Sequence, residues 1–514
     1  MKKVLFFLLW LQQSWAQSTT PAASGNADSL SVYNRQLSPA EMKQDLQLFL
    51  NIRKKANSGL YRYRTTKKID SIYKWAFREV RQPMPTLEFF KIILQLTDFE
   101  GSCHNYTEPH ADLVSYLNRQ RAFFPFALKY IEGNMIFNSK NAAIPVGSKI
   151  VSINGITDKQ LMQSFYKYLT ADGLTITEKQ SGSVNSSYGL RYLYEYGLKD
   201  SFTIQYISPG GIQEQTLTVP AISLEERKAN LLVRHSAPVD SITDYNVQPK
   251  YSFRMINPET GLLNIRIFSM AYDATDPAFP IYARFLDSVF RTLDSGHVPH
   301  LVIDVRGNPG GSDPTFEEPM MYLTDSSFKE NVLAYTIFDN GIPYEDHFWG
   351  ISTAVKMDAA SKVEGKQMLK DYFPALRGDK NIQNSKYNPV YHPKSPGFKG
   401  KLYLLIDEHV ASAGSHFASL VKAYARNVTI VGVETVGGYY CHNGHMPLIY
   451  ELPHSKIKTK FSIVHVIQDA PVKADQPEGR GIIPHHTVWP AFNDFMQNKD
   501  TQMEYVLRLI AEDA

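Results

Sequence analysis

The second half of the chain alternates short apolar runs with amphipathic helical patterns, and this alternation limits the fold more than any other feature. The run "GLLNIRIFSM" is typical of a strand, "YARFLDSVFRTLDSG" of a helix ending at Gly296, and "HLVIDV" of a fully buried strand. Two further apolar runs, "KLYLLID" and "VTIVGVE", lie on either side of another helical stretch. Strands that alternate with helices form βαβ units, so we predict an α/β core with a largely parallel sheet over residues 251–514. Residues 313–400 lack a clear period and are predicted to form an excursion over this core.

Smaller regions precede the core, as expected for a chain of 514 residues that exceeds the size of one compact domain. Apolar residues at helical spacing between Leu37 and Leu96 predict a helical N-terminal region over residues 31–121. A short strand pattern followed by an Asn-Gly turn predicts a small β-rich module over residues 122–220. A polar connection over residues 221–250 then leads into the core. We therefore expect a multi-domain α/β protein.

The first residues have the pattern of a secretory signal peptide. Two lysines precede a short apolar run, and "SWA", ending at Ala16, fits a small-x-small cleavage site. We predict a signal peptide over residues 1–16 and a flexible Ser/Thr/Ala/Gly-rich leader over residues 17–30. No later stretch approaches the roughly 20 apolar residues that span a bilayer. The expected protein is therefore exported, without a membrane span, to the periplasm or the extracellular space.

The charge of the chain argues against one class of partner. The net charge is +3, from 54 basic and 51 acidic side chains. We find no long run of Lys or Arg that could neutralise a row of phosphates. A nucleic-acid partner is therefore not expected, and the sequence leaves the oligomeric state open.

The stretch "HVASAGSHFASLVKAY", residues 409–424, places Ser412 at the start of an amphipathic helix. A serine at this position commonly caps its helix by accepting a bond from an unpaired backbone N–H. The same N–H groups can stabilise a developing oxyanion, so a serine there can also act as a nucleophile. The local sequence favours the capping interpretation, and both interpretations stay open at this point.

A second segment, "LVIDVRGNPGGS" (residues 301–312), ends an apolar strand in a glycine-rich turn. Gly310 and Gly311 can direct backbone N–H groups into a cleft. The pattern is also typical of a tight βα connection, and the lack of GKS or GKT argues against a nucleotide phosphate loop.

Taken in order, several motifs resemble those of the C-terminal processing (tail-specific) serine peptidases. In the core these motifs are "IDVRGNPGGS", "LLIDEHVASAGSHFA", "IVGVETVGGYY" and "EGRGIIPHHTVWP". Upstream, "AAIPVGSKIVSINGI" resembles the PDZ-like module of that family, and "LTDFEGSCHNYTEP" resembles the N-terminal part of the branch that includes the tricorn protease core. The resemblance implies a ClpP/crotonase-like peptidase core and a PDZ-like module over residues 122–220. It also implies a serine endopeptidase that cleaves peptides or proteins through an acyl-enzyme and needs no cofactor.

By this resemblance Ser412 is the nucleophile, although Ser415 stands where the family has a glutamate. Many members use a lysine base just past the following strand, and this chain has Val436-Gly437-Gly438 there. The tricorn-like branch uses a histidine instead, and His104 matches its position. Histidine suits this role, since its pKa starts near 6.5 whereas a lysine must lose roughly 3 pKa units to act as a base near neutrality.

The resemblance also implies supporting residues for this pair. A carboxylate in a Glu-x-x-Gly-Val-x-Pro setting orients the imidazole in that branch, and Glu478 in "EGRGIIP" fits this place. For the oxyanion hole we expect the N–H of Ala413 together with that of Gly310 or Gly311. Where the branch has a hydroxyl before its histidine, this chain has Cys103.

The chain has two cysteines, Cys103 and Cys441, and they leave several hypotheses open. If both flank the site they could form a disulfide, or Cys103 could act as a helper of the base. Another hypothesis is a zinc site from these cysteines, His104 and either His442 or His445, although the ligand spacing matches no common pattern. A further alternative is a non-catalytic peptide-binding protein on a peptidase scaffold, in which the serine only caps its helix.

Overall fold

Six strands form the central sheet of the carboxyl half. Their order is Tyr251–Asn257, Thr260–Ile265, His300–Asp304, Lys401–Ile406, Val428–Gly432 and His486–Thr487. The first pair is antiparallel and the other neighbours are parallel. The two middle strands are continuous apolar runs because both of their faces are covered. The mixed α/β architecture predicted from the alternating pattern is confirmed.

The computed structural model describes residues 29–140, 143–236, 249–338 and 341–513. The predicted signal peptide, most of the predicted leader and part of the predicted connection lie outside the described residues. Among the helices of these ranges, none has the length and apolar character required to cross a membrane.

Helices cover both faces of the central sheet. Phe279–Ser295 and Ala413–Tyr424 contribute to a core that also contains Leu301 and Ile303. Val302 points to the opposite face, where it packs with residues of the Thr501–Asp513 helix. Alternate strand residues therefore face different helices, as the two-residue period of a strand requires.

The segment predicted as an irregular excursion forms part of a second sheet. This antiparallel sheet has the order Ala375–Arg377, Lys380–Ile382, Asn331–Thr336, His465–Gln468 and Cys441–His442. The excursion also contains the Ala359–Tyr372 helix and the short Glu317–Met320 helix. It lies outside the central sheet, as predicted. Its strands escaped the sequence pattern because several are only three residues long.

The region before the core begins with helices that share their own apolar core. Their bounds are Ser29–Tyr33, Pro39–Ala56, Thr66–Glu79, Thr86–Phe99 and Ala111–Asn118, with a two-stranded ladder of Gln36–Leu37 and Met84–Pro85. A further strand, Tyr106–Glu108, joins a four-stranded sheet with Lys458–Ser462, Pro447–Glu451 and Phe348–Gly350. This strand ties the start of the chain to its carboxyl half.

An antiparallel sheet with its own apolar core follows. Its strands are Leu128–Ile131, Asn134–Phe137, Lys149–Ile153, Ile156–Thr157, Ser201–Ile207 and Glu214–Pro220, and its helices are Asp158–Phe165, Thr177–Gly182 and Tyr188–Tyr196. Two other short helices, Leu224–Leu232 and Phe492–Met496, lie outside these groups. The PDZ-like identity and the domain boundaries stay predictions.

A buried ion pair fixes the loop that follows the Thr86–Phe99 helix. Arg53 Nε lies 2.8 Å from Glu100 Oε1, and their side chains are 0% and 2% exposed. Arg53 also donates to Thr459 Oγ1 at 2.6 Å, across to the carboxyl half. Asn105 Nδ2 donates to Glu100 Oε2 at 2.7 Å. One guanidinium therefore links the N-terminal helices, this loop and the four-stranded sheet.

Replacement of Arg53 by methionine is expected to destabilise the protein by about 3–5 kcal/mol, because it leaves the Glu100 carboxylate buried without its cation. The matched control is Lys54→Met, whose ion pair with Asp70 is 42% and 39% exposed; its effect should stay within about 1 kcal/mol. Urea denaturation followed by tryptophan fluorescence measures both. Equal losses in the two variants would contradict a special role for the buried pair.

Candidate active site

Ser412 begins the Ala413–Tyr424 helix with an unusual backbone. Its φ is 51° and its ψ is −127°, and its side chain makes no capping hydrogen bond. A left-handed φ in a non-glycine residue costs about 1–3 kcal/mol and is concentrated at functional sites. The Ser415 hydroxyl donates to Ser412 O at 2.8 Å. The capping interpretation therefore finds no support in the geometry.

The glycine-rich turn lies directly against this serine. A Cβ added at Gly310, whose φ is +106°, would lie 2.6 Å from Ser412 Cβ and 2.9 Å from Ala413 N. The buried Asn308 holds the turn, since its Oδ1 accepts from Gly310 N at 2.8 Å and its Nδ2 donates to Ile265 O at 3.0 Å. Only glycine allows this close approach of two backbones.

Two backbone N–H groups beside the serine have no hydrogen-bond partner among the described residues. They belong to Ala413, at the first position of the helix, and to Gly311. Both residues line the cavity that Ser412 also lines. The N–H of Gly310 is engaged by Asn308, so of the two glycines predicted for an oxyanion hole only Gly311 has a free donor.

His104 lies in the loop held by the buried ion pair and lines the same cavity. Its Nδ1 is 3.4 Å from Cys103 Sγ, whereas its buried Nε2 has no hydrogen-bond partner among the described residues. Burial lowers the pKa of His104 from 6.5 to about 4, although the Asp172 carboxylate opposes this shift. The imidazole is therefore neutral near pH 7 and presents a nitrogen to the cavity.

Asp172 is a carboxylate that contacts the loop of His104 directly. Its Oδ1 accepts from Cys103 N at 2.9 Å, and its Oδ2 accepts from Gly438 N at 2.9 Å. Arg62 Nη2 lies 3.4 Å from Oδ1. Burial, with the adjacent Asp172 charge, raises the pKa of the Cys103 thiol well above its usual value. Cys103 thus stands as a neutral thiol between Asp172 and His104.

Glu478 is exposed, and no hydrogen bond joins it to His104 among the described residues. The segment around it is held instead by Glu434, which pairs with Arg480 at 2.5 Å and accepts from Gly481 N at 2.9 Å. Glu478 is not among the residues that line the cavity, and its orienting role stays a prediction.

The cysteines are free thiols, so the disulfide considered from the sequence is absent from the structure. Cys441 Sγ lies 3.9 Å from the Tyr63 hydroxyl, and Cys103 faces the histidine. The zinc set considered from the sequence is not assembled either. Within the described ranges, the possible ligand atoms of Cys103 and His104 group with Asp172 rather than with Cys441, His442 or His445.

A second group of titratable side chains lines the cavity beyond the serine. His445 Nε2 is 2.8 Å from Glu330 Oε1, and His416 Nε2 is 2.7 Å from Glu330 O. Burial lowers the pKa of His416 to about 4, whereas the Glu330 carboxylate outweighs burial and raises that of His445 to about 9. Burial also raises the pKa of Asp313 to about 7, with the Glu330 charge adding to the shift.

The carboxyl half of the chain resembles a known peptidase family. Residues 259–486 match the family model described as "Peptidase family S41". Residues 259–486 therefore form an S41 peptidase domain within this chain. The predicted family and the serine-peptidase class are thereby confirmed at family level. The S41 domain contains the serine helix and the glycine-rich turn, whereas His104 and Asp172 lie outside the matched residues.

Solved structures share the fold of this protein over most of its length. Mature CPAF is 17% identical, with 93% of this chain and 98% of that chain covered and a TM-score of 0.56. Mature CPAF complexed with lactacystin is 16% identical, with 91% and 98% covered, and also has a TM-score of 0.56. The CPAF s499a mutant is 15% identical over 90% and 95%, again with a TM-score of 0.56. A comparison with curated proteins finds no match.

Several residues of the candidate site were not recognised from the sequence. Asn308 could have been recognised, because an asparagine two residues before a glycine is typical of a turn that bonds its own backbone. Asp172, Glu330 and Lys460 had no local signal. Lys460 lines the cavity, and burial lowers its pKa to about 8. These residues become neighbours of the site only through folding.

Proposed function

We propose that this S41 family member is a serine endopeptidase in which Ser412 is the nucleophile and His104 is the general base. The observation that carries the proposal is the backbone of Ser412. Its strained conformation leaves the hydroxyl free of any capping bond, beside the unpartnered N–H groups of Ala413 and Gly311. The cavity that these groups share with His104 has a volume of about 1930 Å³, enough for a peptide segment.

The reaction follows the acyl-enzyme route of serine peptidases. His104 Nε2 takes the hydroxyl proton as Ser412 Oγ bonds to the scissile carbonyl carbon, and the two N–H groups stabilise the oxyanion. The C–N bond then breaks, and His104 returns the proton to the leaving amine. A water molecule, deprotonated by His104, attacks the ester carbon and releases Ser412 with the acid product.

The surroundings of His104 support its role as a base. The neutral imidazole can accept a proton near pH 7, and the imidazolium that forms lies close to the negative charge of Asp172. Cys103 connects the two groups, because its backbone N–H donates to Asp172 and its Sγ contacts His104 Nδ1. In the tricorn-like branch, a hydroxyl occupies the position of this cysteine. No hydrogen bond joins Ser412 and His104 among the described residues; catalytic hydrogen bonds are often long before substrate binds.

Peptides or proteins are the proposed substrates, and the β-rich module is proposed to help select them. PDZ domains bind peptide termini by adding a strand to a sheet edge. The Leu128–Ile131 and Glu214–Pro220 strands are the two edges of the module's sheet. The signal-peptide pattern of residues 1–16 supports export to the periplasm or the extracellular space.

Reaction with a fluorophosphonate probe tests the nucleophile. The wild type should be labelled, and Ser412→Ala should lose both labelling and roughly a millionfold in kcat on a protein substrate, because no other hydroxyl can form the acyl-enzyme. Ser415→Ala is the matched control, one turn along the same helix, and should remain labelled. An unreactive wild type would instead support the non-catalytic peptide-binding alternative.

The pH dependence of labelling tests the base. Because burial holds the pKa of His104 near about 4, the labelling rate should be constant down to about pH 5 and fall as the pH drops through about 4. Buried neutral histidines such as His416 and His465 also make the fold less stable below pH 6.5. Exposure to low pH must therefore be brief, and the folded fraction must be monitored.

A half-maximal labelling rate near pH 6.5 would contradict the lowered pKa of His104. One near pH 8 would indicate Lys460 as the base.

Two carboxylate variants distinguish the group that supports the imidazole. Asp172→Asn should lower kcat/KM by about 10²–10⁴, since the imidazolium loses its nearby negative charge, while Glu478→Gln should change it by less than about threefold. Because Asp172 also holds backbone groups, Cys103→Ser and Cys103→Ala provide a second comparison; the serine should retain activity better than the alanine. The reverse result for the two carboxylates would establish the role first predicted for Glu478.

A further inference from the structure

Three histidines and a glutamate form a cluster on the wall of the active-site cavity, apart from the proposed catalytic pair. We call Glu330, His416, His442 and His445 the histidine cluster. His416 comes from the serine helix and His442 from the Cys441–His442 strand, while the other two lie in loops. All four line the cavity. None has a role in the acyl-enzyme route described above.

His442 is the member whose environment is hardest to explain without a ligand. Its residue is 6% exposed, yet both Nδ1 and Nε2 are buried without a hydrogen-bond partner among the described residues. Its ring centroid lies 5.3 Å from that of His416 and 5.8 Å from that of His445. A buried polar atom without a partner costs about 1–3 kcal/mol, so two such atoms in one side chain call for a further partner.

The neighbouring groups are arranged as metal ligands are. One ring nitrogen each of His416 and His442 and one Glu330 carboxylate oxygen all lie within 4.8 Å of one another. His416 Nε2 contacts the backbone oxygen of Glu330 at 2.7 Å, a contact that typically fixes the ring of a metal-binding histidine. His445 contacts the Glu330 carboxylate at 2.8 Å, as outer-shell groups do.

We propose that Glu330, His416 and His442 bind a divalent transition-metal cation of the zinc class, and that the bound cation slows acylation of Ser412. Two imidazoles and one carboxylate suit Zn²⁺ or Co²⁺, whereas Mg²⁺ and Ca²⁺ prefer ligands that are all oxygen. Zinc bonds of about 2.0–2.2 Å require the ligand atoms to lie roughly 3.3–3.6 Å apart in a tetrahedron. Side-chain movements of about 1 Å therefore close the site, and all three of its residues line the cavity.

The effect on acylation rests on the proposed function. The His104 and His442 ring centroids are 6.0 Å apart. A divalent cation bound to the neighbouring His442 disfavours the imidazolium that His104 must become, because like charges repel strongly in a buried site. The cation would therefore act as a reversible inhibitor, and its removal would activate the enzyme.

Metal binding is tested without reference to activity, by titrating the full chain, after treatment with a chelator, with Zn²⁺, Co²⁺ or Mg²⁺ alone. Zn²⁺ should bind with one-to-one stoichiometry in calorimetry and raise Tm by roughly 2 °C or more at a hundredfold excess over its dissociation constant. Co²⁺ should show the visible absorption of a low-coordinate nitrogen and oxygen site, and Mg²⁺ should have no effect. Absence of saturable Zn²⁺ binding overturns the proposal.

The decisive variant is His442→Leu, which keeps a similar volume and removes the two unpartnered nitrogens. It should leave the metal-free Tm unchanged or higher, and it should weaken Zn²⁺ binding by roughly 100-fold or more. His392→Ala removes an exposed histidine outside the cavity and should keep wild-type affinity. A lower Tm together with undiminished Zn²⁺ affinity in His442→Leu would overturn the assignment, since His442 would then be structural.

Fluorophosphonate labelling then tests whether the bound metal slows acylation of Ser412. Chelation should increase the labelling rate of the wild type, and Zn²⁺ should lower it by roughly tenfold or more, whereas His442→Leu should be indifferent to both. Saturable Zn²⁺ binding with an unchanged labelling rate would overturn the inhibitory effect. Loss of labelling on chelation would overturn it in favour of a catalytic metal. A wild type that binds Zn²⁺ but never reacts with the probe would refute the proposed function and the inhibition that rests on it, while the metal site itself would stand.

Discussion

The pairing of the Tyr106–Glu108 strand with the Lys458–Ser462 strand holds distant parts of the chain together, and the candidate active site depends on it. His104 lies two residues before this short strand, so the pairing brings the histidine loop to the cavity that Ser412 lines. The loop-closure entropy of such a contact grows only slowly with chain length. The buried Arg53–Glu100 pair and its contact with Thr459 add to the same junction. Formation of the site therefore requires the N-terminal helices to be docked on the carboxyl half.

The candidate active site also combines several features that are unfavourable for stability. Ser412 has a left-handed backbone, and backbone N–H groups next to it lack partners among the described residues. The His104 imidazole is buried in its neutral form. Each feature lowers stability by itself, and together they provide a hydroxyl, a base and donors for negative charge. The larger apolar cores on both sides of the central sheet stabilise the scaffold on which these groups are held.

The sequence predicted much of the scaffold and only part of the site. The apolar runs and helical periods were sufficient for the α/β core, because a buried parallel sheet imposes continuous apolar strands on the sequence. The order of motifs identified the family. The choice between a helix cap and a nucleophile could not be made locally, since a serine at a helix start suits both. The short strands of residues 313–400 could not be recognised from local patterns, because they depend on contacts with remote segments.

By itself, the sequence determined the residue types on which the chemistry depends. These are a serine after a buried strand, glycines that allow close backbone approach, and a histidine, whose ordinary pKa lies near 6.5. Tertiary structure alone decided which of them meet. It placed Asp172 against the loop that carries His104, and it gathered His416 and His442 around Glu330. The physical reason is that burial, charge and distance are set by contacts between remote segments. The periodicity and spacing of residues in the sequence indicate only the local structure of each segment.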